Sequence, residues 1–196
     1  MTLSDYVTLG RSGLRVSPFC LGAMTFGEDW NWGSSVAESE AVMARYFEKG
    51  GNFLDTANVY TKGHSEKIIG DFIGSDPSRR DRIVIATKFF GNLYPGDPNA
   101  GGAGRKNILA ACEQSLRRLQ TDYIDLYWMH NWDKFTPIDE TMRALDDLVR
   151  SGKGALHRLL RYTRLEGDAG ADAGAIPRLG AARRAADRVF PARADG

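Results

Sequence analysis

Four side chains in this sequence can do chemistry together: Asp55 and Tyr60 within NFLDTANVY, Lys88 closing RIVIATK, and His130 closing YIDLYWMH. Each stands at or just after the C-terminal end of an apolar run that reads as a buried β-strand. Reducing an aldehyde or ketone needs hydride at carbon and a proton for the developing alkoxide. A phenol, with an ordinary pKa of about 10, works poorly in both directions near neutrality. An adjacent ammonium stabilises the phenolate, and a carboxylate holds the ammonium. Tyr60, Lys88 and Asp55 are the residue types for those three tasks, and a neutral imidazole at His130 can hydrogen-bond the carbonyl and orient it. Taken singly, each has a structural alternative: Asp55 capping a turn, Lys88 a solvated strand end, His130 a core histidine, Tyr60 a packing aromatic. Their ordered placement at strand ends favours the joint reading. GAMTFG, after the first strand, adds small residues where a nicotinamide can approach closely.

Those positions require elements to hold them. YVTLG-RSG-LRVS reads as a β-hairpin. Strands follow near residues 17–22, 52–56, 83–88 and 123–129, each succeeded by a helical pattern. The first helix begins near Ser34 or Ser35, keeps Val42, Tyr46 and Lys49 at helical spacing, and stops at Gly50 and Gly51. The second is expected to open with Ser65 as its N-cap and to bury Ile68, Ile69, Phe72 and Ile73. The third, RKNILAACEQSLRRL, turns Ile108, Ala111, Cys112 and Ser115 to the sheet. The fourth has Pro137 near its first turn and Met142, Leu145 and Leu148 on one face. Strict βα alternation predicts a parallel sheet with right-handed crossovers. FFGNLYPGDPNAGGAG, between Lys88 and Arg105, is expected to form a flap at the same strand end.

Composition narrows the partners. The net charge of +1 in 196 residues gives no argument for a nucleic-acid or membrane-surface partner. Nothing resembles a signal peptide or membrane span, so a cytoplasmic location is expected. Cys20 and Cys112 have no metal or redox spacing and are expected to be buried thiols. Asp55 and His130 lack companions at metal-ligand spacing, so no metal site is expected. His64, in KGHSE, reads as structural. Trp30, Trp32, Trp128 and Trp132 are candidates for lining an aromatic pocket, with Trp128 equally suited to the core.

The pattern changes after Lys153. From Ala155 onward, 28 of 42 residues are Ala, Arg, Gly or Asp, and Ser, Asn, Gln and Lys are absent. This segment carries eight Arg against four Asp and one Glu, so it is +3 and the remainder −2. Codons allowed for residues 154–167, less one G, also encode VRYIGFSDTPAWKV, which reads as strand, polar turn and helix start. The expectation is an out-of-frame tail over residues 154–196 hiding a fifth βα unit, with a basic helical tail as the alternative.

The motifs LGRSGLRVSPFCLGAMTFG, NFLDTANVY with GHSEKIIG, IVIATK, and SLRRLQTDYIDLYWMHNWD resemble the aldo-keto reductases over residues 6–153. WMHNWDKFTPIDETMRALDDLV is most similar to the branch containing aryl-alcohol dehydrogenases. The resemblance implies an α/β fold: the N-terminal half of a (β/α)8 TIM barrel with a β-hairpin ahead of it, followed by a non-native Ala/Arg-rich tail. It implies NADPH as cofactor and a small carbonyl substrate, with aromatic aldehydes among the candidates. By the same resemblance Tyr60 is the general acid, Lys88 and Asp55 tune it, and His130 orients the carbonyl. Gly22, Ala23, Met24 and Thr25, with Asp55, would lie beside the nicotinamide ribose. Family members hold the carboxamide with a Ser-Asn or Ser-Asp pair after the fifth strand, and only the hidden FSD corresponds to it. The expectation is therefore an impaired or inactive chain that self-associates through exposed barrel edges. A non-catalytic binding subunit of the same fold, like those of potassium channels, is the alternative, as is a non-functional fragment.

Overall fold

Strand alternation and the helical period between strands sort the apolar residues onto the two faces of one sheet. The computed structural model describes residues 1–10 and 12–153. The expectations about residues 154–196, including the domain boundary after Lys153 and the hidden βα unit, lie outside the described residues. Strands β1 (Val7–Thr8) and β2 (Arg15–Val16) form the antiparallel hairpin. Strands β3 (Leu21–Gly22), β4 (Phe53–Asp55), β5 (Val84–Phe89) and β6 (Leu126–Met129) form a parallel sheet in chain order. Helices α1 (Val36–Glu48), α2 (His64–Gly74) and α3 (Arg105–Leu119) fill the intervals, and α4 (Ile138–Arg150) follows β6. This is an α/β architecture with the strand order of a βα barrel.

Two apolar layers sandwich the sheet. Leu54, Ile85, Phe89, Tyr127 and Met129 face outward into the main core, against Met43 of α1, Ile68, Ile69 and Phe72 of α2, Ile108 and Cys112 of α3, and Ala144 and Leu148 of α4. Burial pushes the Cys112 thiol up to about 12, so it stays protonated. On the opposite face Val84, Ala86 and Leu126 pack with Val16, Leu9 and Leu14 of the hairpin segment, which covers that end of the sheet. Phe53 and Trp128 join this inner layer, which settles Trp128 as a packing residue.

Local chemistry explains the helix boundaries. Ser35 and Glu38 form a capping box at α1: Glu38 N donates to Ser35 Oγ, and Ser35 N donates to Glu38 Oε2 at 2.9 Å. Three expectations need correction. Ser65 is not the N-cap of α2; Gly63 is, and Ser65 sits inside the first turn, where its hydroxyl donates to Ala23 O at 2.7 Å. The buried face of α1 is Ser39, Met43 and Tyr46, while Val42 is exposed. The buried face of α4 is likewise centred on Thr141, Ala144 and Leu148, leaving Met142 and Leu145 at its margins. Cys20 also departs from expectation: it is exposed, since it precedes β3 rather than entering the outer core.

Below the rim, Arg80 locks the starts of β5 and β6. Its guanidinium donates to Asp125 Oδ2 at 2.7 Å, Ile83 O at 2.9 Å and Tyr123 O at 2.9 Å, and it lies 3.6 Å from the Tyr123 ring centroid. Between α2 and α3 the backbones approach so closely that a Cβ at Gly70 would collide with Arg118 O. Only glycine fits there.

Candidate active site

Strand alternation delivers the four side chains to one end of the inner face. In β5 Val84 and Ala86 point to the inner layer, so Lys88, two positions on, follows them. Leu126 and Trp128 do the same in β6, which brings His130, one residue beyond the strand, to the same side. Asp55 is the last residue of β4, and its register partner in β5 is Ala86. The backbone continues the ladder past the strand ends, with Asn58 N donating to Lys88 O and His130 N donating to Phe89 O, both at 3.0 Å. Tyr60 opens a short 3₁₀ turn, Tyr60–Gly63, directly after β4.

The four side chains meet. Lys88 Nζ forms an ion pair with Asp55 Oδ1, donates to Thr56 O at 2.8 Å, and lies 3.3 Å from the Tyr60 hydroxyl. The ammonium is only 15% exposed and the carboxylate 29%, so water screens the pair weakly. The His130 ring stands edge-on to Tyr60, with centroids 5.5 Å apart. Burial, reinforced by the Lys88 charge, holds the His130 imidazole below its ordinary value, with Asp55 opposing in part. His130 is therefore neutral at pH 7 and free to serve as a neutral hydrogen-bond partner.

A titration prediction follows from that shift. The unfolded chain protonates this histidine near the ordinary value of about 6.5, whereas the folded protein does so only at lower pH. As pH falls below 6.5 the unfolded state takes up more protons, so stability falls through that window. The proton NMR titration of His130, assigned by loss of its signal in His130→Gln, is expected to have its midpoint below 6.5. A midpoint at or above 6.5 would contradict the electrostatic account.

The segment Gly22 to Thr25 adjoins Asp55: Gly22 is its neighbour across β3 and β4, and Ala23 N donates to Asp55 O at 2.8 Å. Gly22, Met24 and Thr25 are exposed, and the space above Gly22 is open. That exposed stretch of backbone borders the Asp55–Lys88 pair. Ala23 differs, because its methyl is wholly buried in the outer core and its carbonyl accepts from Ser65. It fixes that stretch from below rather than lining it.

Sequence reasoning missed the Thr56 carbonyl, a backbone group with no residue-type signal, whereas Trp30 stands where an aromatic pocket residue was expected. Trp30 stands edge-on to Tyr60 at 6.4 Å between ring centroids, and Trp32 lies 5.4 Å from Trp30. Trp132 instead packs against the outer core. The long segment after Lys88 closes on itself through Gly102 N donating to Phe90 O at 2.9 Å. Asp133 then staples it to the segment after β6, accepting from Ala103 N at 2.8 Å and Thr136 Oγ1 at 2.7 Å. No cluster of three or more residues suited to hold a metal occurs among the described residues.

Comparison with known proteins agrees with this architecture. The chain is 44% identical over 160 residues to norsolorinic acid reductase B of Aspergillus parasiticus, which covers 77% of this chain and 42% of that protein. It is 38% identical over 149 residues to an aryl-alcohol dehydrogenase of Pestalotiopsis microspora, covering 72% and 38%. It is 40% identical over 149 residues to a probable voltage-gated potassium channel subunit beta of Arabidopsis thaliana, covering 76% and 44%. The chain thus spans about four-tenths of the length of the curated relatives it matches. A family model described as the aldo/keto reductase family matches residues 18–155, a stretch that contains all four parallel strands and every side chain of the cluster. The chain belongs to the aldo/keto reductase family.

Proposed function

We propose that this site reduces the carbonyl of a small aldehyde or ketone to an alcohol, with NADPH as the hydride donor. The single observation that carries the reading is the Lys88 ammonium held between the Asp55 carboxylate and the Tyr60 hydroxyl. Gly22, Met24 and Thr25 would hold the nicotinamide, which would supply the hydride for the carbonyl carbon. His130 donates a hydrogen bond to the carbonyl oxygen and fixes its direction. Tyr60 gives its proton to that oxygen as negative charge develops, and Lys88 stabilises the phenolate left behind. Asp55 keeps Lys88 in place. Water then returns the proton to Tyr60, so one hydride and one proton are added in each cycle.

Two finer points belong to the same reading. Aromatic aldehydes are the proposed substrate class, supported by Trp30 and Trp32 beside Tyr60. The described sheet has β3 and β6 at its two edges, with backbone groups that invite pairing. We accordingly propose that the 196-residue chain alone turns over slowly and self-associates. Among the described residues no helix is long and apolar enough to cross a membrane.

The test is NADPH oxidation followed by absorbance with benzaldehyde, alongside sedimentation of the same sample. Aldehyde-dependent oxidation that disappears in Lys88→Met supports the reading. Oxidation unaffected by that change, or NADPH that binds without aldehyde-dependent oxidation, overturns it.

A further inference from the structure

The segment carrying Trp30 and Trp32 is held in shape by its own backbone. Phe26 and Ser34 form a parallel bridge, Gly27 N donates to Ser34 O at 2.9 Å, and Ser34 N donates to Thr25 O at 2.8 Å. Gly33, at φ 124°, lies so close to Gly27 O and Thr25 O that a side chain there would collide with both. A loop closed this tightly presents its indoles in a defined place.

Two contacts fasten the loop to the turn that carries Tyr60. Thr61 Oγ1 donates to Phe26 O at 2.7 Å. His64 Nδ1 and Asp29 Oδ2 lie 2.7 Å apart, which clasps the start of α2 to the residue next to Trp30. Thr61 and Lys62 both have positive φ, at 45° and 58°. Non-glycine residues adopt that conformation only where the surroundings hold them there. Loop and turn therefore constrain each other, and the Trp30 and Tyr60 rings meet at 80° as a result. The two indoles are not spent in the core: Trp30 is half-buried and Trp32 is 51% exposed.

We propose that Trp30 is a specificity-determining residue that selects flat aromatic carbonyls, and that the Asp29–His64 clasp is the positioning pair that sets its indole beside Tyr60. The proposal rests on the carbonyl-reductase reading of the site. An aromatic ring attached to the carbonyl carbon stacks against Trp30 or meets it edge-on, while a short aliphatic chain gains little there. Neither Asp29 nor His64 touches the reacting atoms; both act through the loop.

The experiment pairs binding with turnover, using 2-acetonaphthone and butanone on the full 196-residue chain. Equilibrium dialysis of 2-acetonaphthone against wild type and Trp30→Ala is expected to show binding weakened roughly tenfold, the scale of one good aromatic contact with its buried area. Trp30→Phe, which keeps a ring, is expected to lose far less. His64→Ala is expected to approach Trp30→Ala in naphthyl ketone binding, and His64→Asn, whose amide can still donate to Asp29, to recover most of it. Where turnover is measurable, KM for 2-acetonaphthone rises several-fold more than KM for butanone in Trp30→Ala and His64→Ala. Unchanged naphthyl ketone binding in Trp30→Ala, or equal loss for both ketones, overturns the proposal. So does failure of His64→Asn to recover what His64→Ala loses. Trp30-dependent binding without turnover by any sample sustains the inference while sinking the reductase reading. Turnover that is indifferent to Trp30 does the reverse.

Discussion

Replacing Tyr60 with Phe is expected to lower kcat for carbonyl reduction by about 10²-fold or more, the usual scale for losing a general acid. The substitution removes one oxygen and little else. The ring is located by Trp30 and His130, which meet it edge-on, and by the Lys88 ammonium 4.9 Å from its centroid. All three contacts survive in Phe, so packing and KM should hardly move. What is lost is the hydroxyl 3.3 Å from Lys88 Nζ, the proton source beside that part-buried cation. The comparison should be made with the preparation that establishes turnover, and thermal unfolding of both proteins should confirm that the fold is intact. Retention of normal kcat by Tyr60→Phe would refute the assignment.

The second large effect lies away from the chemistry. Arg118→Met is expected to destabilise the fold by about 3 kcal/mol or more, the range for stranding one member of a buried ion pair. Glu66, on α2, is wholly buried; its two carboxylate oxygens accept from Arg118 Nε at 2.7 Å and from Thr87 Oγ1 at 2.5 Å. That single carboxylate thus ties α2 to α3 and to β5, the strand that presents Lys88. Removing Arg118 leaves Thr87 alone to compensate the charge. Urea unfolding is the measurement, with the midpoint falling and the slope unchanged. The double variant Glu66→Gln/Arg118→Met should regain part of the loss, because no buried charge remains. A midpoint unmoved in Arg118→Met would show that the pair contributes nothing.

Strand-end placement made Asp55, Tyr60, Lys88 and His130 legible in the sequence, because alternation along a parallel strand fixes which residues reach the rim. The helix cores of α2 and α3 were legible for a similar reason, as Ile68, Ile69, Phe72 and Ile73 or Ile108, Ala111 and Cys112 leave no other face to bury. Where a helix is less one-sided the reading slipped. Val42 and Met43 are adjacent and both apolar, and only packing against the sheet decides that Met43 enters. Ser65 has the residue type of an N-cap, yet tertiary hydrogen bonds to Ala23 and Thr56 recruit its hydroxyl instead. The Asp29–His64 contact has no local signature at all, since it joins a loop to the start of α2, 35 residues on.

The order of strands in the sheet, identical to their order along the chain, bears on how the protein comes into being. Each parallel pair closes over one intervening helix, so the entropy lost in forming it is that of a single crossover. A chain emerging from the ribosome offers β4 a partner already made, then β5, then β6, and no strand has to wait for a distant one. The site assembles on the same timetable. Asp55 arrives with β4 but its carboxylate meets Lys88 only when β5 docks, and His130 comes last, with β6. Proximity between Tyr60 and His130 is therefore a late marker of folding: a probe of that pair reports that the final described strand has taken its place.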